Sequence, residues 1–309
     1  MIIVVVNAFQ HARGLDPFSL CDIIRRIMNK KTRTCLTKLG NGIGKIVYDL
    51  YDSHDNSIGL LCLHNNMSNK GMFEELVEEL SKQINVVVPD MIGRGISSAS
   101  DEYKMEQYLQ DCISIINMTG FKQIILLGNG LGAKIALNLA KLNNFPAVSV
   151  IIDQIDYQYE NLIYQIDTSS HKNIESIALA VREIVNDPQC TLEDYLDFVV
   201  RHVKMVGQRI VPICDLNVAS QRTEEINYAS LIDAINSPVL MLHEEQLIND
   251  KSTVKELMTN DSSANLRIKY SIKERKAISE WIKNFTSIKE KLKNHFAIDT
   301  GSSKAKIQA

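Results

Sequence analysis

Residues 124–140, IILLGNGLGAKIALNLA, run from a short apolar stretch through three glycines into a Leu- and Ala-rich stretch. The first part has the continuous hydrophobicity of a strand buried on both faces, and the second is built of good helix formers. A strand that passes straight into a helix across a tight glycine turn is half of a βαβ unit. It commits the chain to a mainly parallel sheet with helices on its faces. The spacing of Gly128, Gly130 and Ala133 fits the G-x-G-x-x-G/A loop that cradles a dinucleotide. Asp153, about 20 residues further on, ends the next strand where a ribose-binding acid would stand.

The same alternation extends along the chain. GKIVYDLYDS (44–53) and NSIGLLCLHNN (56–66) read as strands, and GMFEELVEELSK (71–82) as a helix with Phe73, Leu76, Val77 and Leu80 on one face. INVVVPD (84–90) is a strand stopped by Pro89, and MEQYLQDCISIINMTG (105–120) is a helix with Gly120 at its C-cap. KQIILLG, AKIALNLAKL and AVSVIIDQ continue as strand, helix and strand. The pattern then breaks. NIESIALAVREIVND (173–187) and TLEDYLDFVVRHVKMV (191–206) are helices, the second capped by Thr191 with Glu193 and Asp194 in its first turn. Strands return at SPVLMLHEE (237–245) and NLRIKYSI (265–272). The helix ERKAISEWIKNFTSIKEKL (274–292) closes the pattern with Ile278, Trp281, Ile282 and Phe285 on one face.

These periods divide the chain into an N-terminal extension (1–39), an α/β core (40–155 and 231–290), a helical insertion (156–230) and a polar tail (291–309). Residues 20–38 carry Arg25, Arg26, Lys30, Lys31, Arg33 and Lys38 against the single acid Asp22. They read as an extension or a short amphipathic helix, with an organellar targeting segment as the alternative. A net charge of −3 gives no electrostatic reason for a nucleic-acid partner. Apolar runs such as Ile2–Val6 and Val148–Ile152 are far too short to span a bilayer, so no membrane partner is expected. Six scattered cysteines, with Cys62 and Cys112 inside apolar segments, suggest a reducing, cytoplasmic setting, an organellar matrix being the alternative. His and Cys spacing supports no metal site, and no cofactor is expected.

The order of motifs resembles the α/β-hydrolase family over about residues 45–285. LLCLHNNMSNKGMF is similar to that family's L-L-L-H-G…S…F stretch. NVVVPDMIGRGIS is similar to V-I-x-P-D-x-R-G-H-G-x-S, with Pro89, Asp90, Gly93, Gly95 and Ser97 in place. SPVLMLHEEQ resembles P-V-L-x-I-x-G-E-x-D, and VSVIIDQID the strand end of some bacterial members. On this reading, Gly128-Asn129-Gly130-Leu131-Gly132 is the G-x-S-x-G nucleophile elbow with glycine in place of serine. A dinucleotide loop normally opens its fold. Here two strand–helix units precede it, and nothing downstream resembles a second nucleotide half, so the hydrolase reading explains more of the chain.

What the resemblance implies chemically is missing from the residues. Acyl transfer on this fold needs a nucleophile, a histidine that takes its proton and an acid that orients the histidine. Gly130 has no side-chain atom to attack with, although glycine suits the backbone angles of an elbow. Gln246 stands at the acid position, with Asp250 four residues late and Glu244 on the strand. No histidine lies between the last strand and the terminal helix, and His295 lies near the end of that helix. His64 matches a structural histidine of the family. Asp153, or Asp156, and His243 are alternative candidates for acid and base. Asn65 replaces the glycine of the oxyanion loop, where backbone N–H groups of Asn65 and Leu131 are candidate donors.

The sequence therefore predicts a twisted, mostly parallel α/β-hydrolase fold with helices on both faces and a helical lid. Its pocket would be lined by Asn65, Asn66, Asn129, Gly130, Leu131, Asp153, His243 and Gln246. The leading expectation is a pseudoenzyme that binds a small apolar ligand under the lid or a protein partner. An active hydrolase of a small ester with a relocated constellation is the first alternative, and a structural subunit of a larger complex the second.

Overall fold

The computed structural model describes residues 30–39, 42–52, 57–153, 162–188, 190–215, 217–218, 228–243, 254–258, 270 and 272–299, with the side chains at 243, 254–258, 272 and 287–299 outside the description. Strands β1 (Lys30–Leu39), β2 (Gly42–Tyr51), β3 (Ile58–Leu63), β4 (Asn85–Pro89), β5 (Gln123–Asn129), β6 (Ala147–Asp153), β9 (Val239–His243) and β10 (Val254–Met258) form one sheet in the order β1-β2-β4-β3-β5-β6-β9-β10. β1 and β2 run antiparallel to each other, and β2 is antiparallel to β4; every other neighbouring pair is parallel.

Because side chains alternate across a strand, the apolar strands feed two cores. On one face Leu61, Leu63, Val87, Ile124, Leu126, Val150 and Ile152 pack with helices α2 (Met105–Thr119) and α3 (Leu131–Ala140). On the other, Leu60, Cys62, Val86, Val88, Ile125, Leu127 and Ile151 pack with α1 (Glu74–Leu80) and with Ile278 and Ile282 of α8 (Ile272–Asp299). Gly120 closes α2 in the left-handed conformation at φ 73°, as expected of a C-cap glycine. The parallel, two-faced sheet of the sequence reading is therefore present.

Between β6 and β9 lie α4 (Leu162–Gln165), α5 (Ile174–Val185), α6 (Leu192–His202), the strands β7 (Val203–Val206) and β8 (Arg209–Pro212), and α7 (Tyr228–Asp233). Ile177, Val181, Tyr195, Phe198, Val199, Val203 and Ile210 give this segment a small core of its own. Thr191 and Asp194 form a reciprocal capping box at the start of α6.

Four sequence expectations need correction or fall outside the description. Residues 30–39 are the edge strand of the sheet and not an extension. Only Cys35 and Thr37 of β1 are buried, which left too few apolar positions to show a period. The helix read through Val206 ends at His202, and residues 203–212 turn back as an antiparallel hairpin at Gly207, φ 63°. The helix α8 runs to Asp299, so the tail read from 291 begins inside it. The strand read at 265–272 falls almost wholly outside the described residues.

Candidate functional site

The strand β5 passes into α3 through one residue, Gly130, with φ 48° and ψ −113°. That conformation is strained for a residue with a side chain, so glycine relaxes the turn. Close approach fixes a second glycine: a Cβ at Gly132 would lie 1.9 Å from the carbonyl oxygen of Leu63. Leu63 of β3 is level with Gly128 of β5, so the loop leaving β3 abuts the turn.

That loop begins with His64 and Asn65. His64 is fully buried and accepts the Met91 N–H at Nε2 (3.0 Å). Its Nδ1–H therefore donates to Asn65 O at 2.7 Å. Burial is the main reason that its imidazole is held down at about 3, with Arg94 and Lys70 adding to the effect. It is a neutral strut between two loops, the structural role implied by the resemblance.

Asn65 turns its side chain to the elbow. Its Oδ1 accepts N–H groups from Leu131 at 3.0 Å and from its neighbour Asn66 at 2.7 Å. A Cβ at Gly130 would lie only 1.9 Å from this oxygen. Two converging backbone donors beside a strand–helix elbow are the arrangement that receives a developing oxyanion in acyl transfer. Here the chain's own amide oxygen sits between them. The donors are Leu131 and Asn66; the Asn65 residue, expected to offer its N–H, supplies the acceptor.

Asn66 is held from behind by Arg94, a residue the sequence reading did not single out. Arg94 is fully buried and donates Nε to Asn66 O at 2.9 Å, a terminal nitrogen to Asn66 Oδ1, and Nη1 to Ile92 O (2.7 Å) and Tyr108 Oη (2.5 Å). Its guanidinium lies 5.3 Å from the ring centroids of both Tyr103 and Tyr108. Neutral acceptors and π faces thus carry a buried cation. The available signal was its place between Gly93 and Gly95, where the resembled motif has histidine.

Asp153 ends β6 level with Asn129, and both are fully buried. Its carbonyl accepts from Gly130 N and from Asn129 Nδ2, both at 3.3 Å. The backbone of β9 continues the arrangement, with Leu242 level with Asp153 and His243 the next residue. Asn65, Asn66, Asn129, Gly130, Leu131 and Asp153 are thus brought together. The His243 and His295 side chains, with Asp156, Glu244, Gln246 and Asp250, lie outside the described residues.

The segment between β6 and β9 is fastened to the same loops. Asn69 Nδ2 donates to Arg201 O, while Arg201 Nη1 donates to Gly71 O. Cys214 Sγ reaches Ser68 O at 3.5 Å, and Asp215 N donates to Gly93 O at 2.7 Å. Beside this seam, on the β1–β2 side, is a crevice of about 200 Å³ whose walls include Lys30, Asp49, Lys70, Asp90 and Ile213 but no elbow residue. Lys70 bridges Asp90 (3.3 Å) and Asp49 (3.6 Å) there. Among the described residues no three His, Cys, Asp or Glu side chains converge as a metal site.

Residues 60–181 match the family model described as alpha/beta hydrolase fold. A solved alpha/beta hydrolase from Novosphingobium aromaticivorans is 19% identical with a TM-score of 0.66, covering 82% of this chain and 97% of that one. E-2-(acetamidomethylene)succinate hydrolase is similar at 16% identity and a TM-score of 0.58, covering 83% and 100%. The thioesterase domain from the curacin biosynthetic pathway gives 16% and 0.57, covering 82% and 99%. A 3-hydroxybutyrate-oligomer hydrolase of Cupriavidus necator is 24% identical over 117 residues, which are 37% of this chain and only 40% of that relative.

Proposed function

We propose that this chain, an α/β-hydrolase-fold protein, no longer performs serine-type hydrolysis and acts by binding. The observation that carries the reading is the Asn65 amide. It fills both the oxyanion position and the space of a nucleophile side chain, and the turn residue beneath it is Gly130. A catalyst needs that position empty in the ground state so that its donors meet charge only as it develops. The segment 162–233 acts as a cap, fastened to the elbow's flanking loops through Asn69, Arg201 and Asp215. Beneath it the site takes a small apolar ligand, or the closed cap presents a face to a protein partner. A cytoplasmic setting agrees with the buried thiols of Cys35, Cys62 and Cys112, which form no disulfide among the described residues.

The test is hydrolysis of p-nitrophenyl acetate and butyrate by the full chain. No turnover above the uncatalysed rate is expected, and saturable turnover would overturn the reading. Native purification followed by mass spectrometry of what comes with the chain separates a small ligand from a protein partner.

A second reading is favoured by the backbone of β5, β6 and β9, which puts Asp153 level with Asn129 and Leu242, beside Gly130 and His243. Hydrolysis by bound water activated there would give turnover that His243→Ala abolishes. The hydrolases among the similar proteins agree with that alternative.

A further inference from the structure

We infer that the outward face of the β1–β2 pair, at Leu36, Lys38, Ile43 and Lys45, docks on an anionic lipid surface. The hairpin register places Leu36 opposite Lys45 and Lys38 opposite Ile43, so these four side chains share one face. All four are exposed, Leu36 at 71% and Ile43 at 76%. The opposite face, with Cys35, Thr37 and Ile46, is buried, Thr37 bonding Asp111 of α2. Ser98 holds the neighbouring loop to Lys45 through bonds of 3.0 and 2.9 Å, and Ile96, two residues away, is 55% exposed.

Charge decides the kind of surface. Between Asp22 and Asp49 the sequence has seven basic residues and no acid. Lys30, Lys31 and Arg33 reach Asp49 or Asp52, whereas Lys38 and Lys45 have no carboxylate partner among the described residues. Lysines alone would be explained as protection of an edge strand against pairing with another chain. Two large aliphatic side chains set between them run against that purpose. They also distinguish this face from a nucleic-acid surface, which would pair lysines with polar or aromatic neighbours. Aliphatic side chains entering the headgroup boundary, flanked by lysines that meet lipid phosphates, are the pattern of peripheral attachment. The lengths of apolar runs exclude spanning, not docking, and among the described residues no helix is long and apolar enough to cross a membrane.

The test is co-sedimentation of the full chain with vesicles of phosphatidylcholine alone and of phosphatidylcholine mixed with phosphatidylserine. Binding is expected to the mixed vesicles only and to fall at high salt. Lys38→Gln and Lys45→Gln should each weaken it about fivefold. Leu36→Glu/Ile43→Glu should abolish it while leaving the thermal melt unchanged, since both side chains are in solvent. Equal binding to both vesicles, or no binding, overturns the inference. So does a hairpin-dependent dimer or heparin retention without vesicle binding.

Discussion

The side-chain oxygen of Asn65 accepts the Leu131 N–H at 3.0 Å and stands 1.9 Å from where a Cβ on Gly130 would be. The two positions are therefore coupled: either can hold a side chain toward the elbow, not both as they stand. Gly130→Ser should cost ~1–3 kcal/mol through the positive φ alone, with the contact against Asn65 added. Asn65→Gly should recover part of that loss in the double variant, a coupling that urea melts of the four proteins measure. Neither single variant should hydrolyse p-nitrophenyl esters. Robust activity from Gly130→Ser would show that an acid and a base are already in place.

Arg94 holds the other half of the donor pair. Arg94→Met removes the donors to Asn66 O, Asn66 Oδ1, Ile92 O and Tyr108 Oη and leaves buried acceptors without partners. A loss of at least ~3 kcal/mol is expected in chemical denaturation. Arg94→Lys should recover little of it, because one ammonium cannot reproduce a planar fork bonded on several sides.

Much of this was legible in the sequence because parallel strands buried on both faces announce themselves as apolar runs, and α2 and α6 carry helical periods with recognisable caps at Gly120 and Thr191. The edge strand β1 was not, since KKTRTCLTKL buries only Cys35 and Thr37 and its charges read as an extension. The hairpin β7–β8 was hidden because Val203 and Val206 continue the apolar pattern of α6, and only Gly207 marks the reversal. At the site, the glycine at the strand–helix turn, Gly130, could be read directly. That Asn65 would turn its amide into the gap could not, because the choice between backbone and side chain is made by the fit of two loops.

His64 and Asp111 should give opposite pH signatures. The folded pKa of His64, about 3, lies below its ordinary 6.5, so the unfolded chain binds the extra proton. Its contribution to stability is complete above pH 6.5 and is lost as pH falls through that window, at up to ~1.4 kcal/mol per pH unit. The matching observation is an imidazole resonance that stays neutral well below pH 6.5 in NMR titration. A midpoint near 6.5 would contradict the buried, bonded ring.

Asp111 of α2 faces β1, its Oδ1 bonded by Thr37 and by Gln107 Nε2 at 2.8 Å, its Oδ2 buried with no hydrogen-bond partner among the described residues. Burial pushes this carboxyl above the usual range, more than the two hydrogen bonds lower it. The folded chain then binds the proton better than the unfolded one. The stabilising contribution is complete below the unfolded pKa near 3.8 and is lost as pH rises through the raised folded value. Asp111→Asn should therefore melt above the parent at neutral pH, and the difference should close on acidification. A constant difference across pH would mean that the carboxylate is compensated by a charge.

Asn69 joins the segment between β6 and β9, proposed above as a cap, to the loop after β3 with one side chain. Its Oδ1 accepts Gly71 N at 2.9 Å, capping the short turn Lys70–Phe73, and its Nδ2 donates to Arg201 O on α6. Asn69→Ala removes both at a cost of ~1–2 kcal/mol. Arg201→Leu removes the return bond to Gly71 O and the ion pair with Asp197 at 3.7 Å, but keeps the backbone acceptor of Asn69. If these bonds fasten the cap, amide exchange in Leu192–His202 should quicken in both variants, more in Asn69→Ala, while the amides of β5 stay protected. Equal acceleration in β5 would mean that the cap and the sheet open as one unit, and that the seam is part of the core.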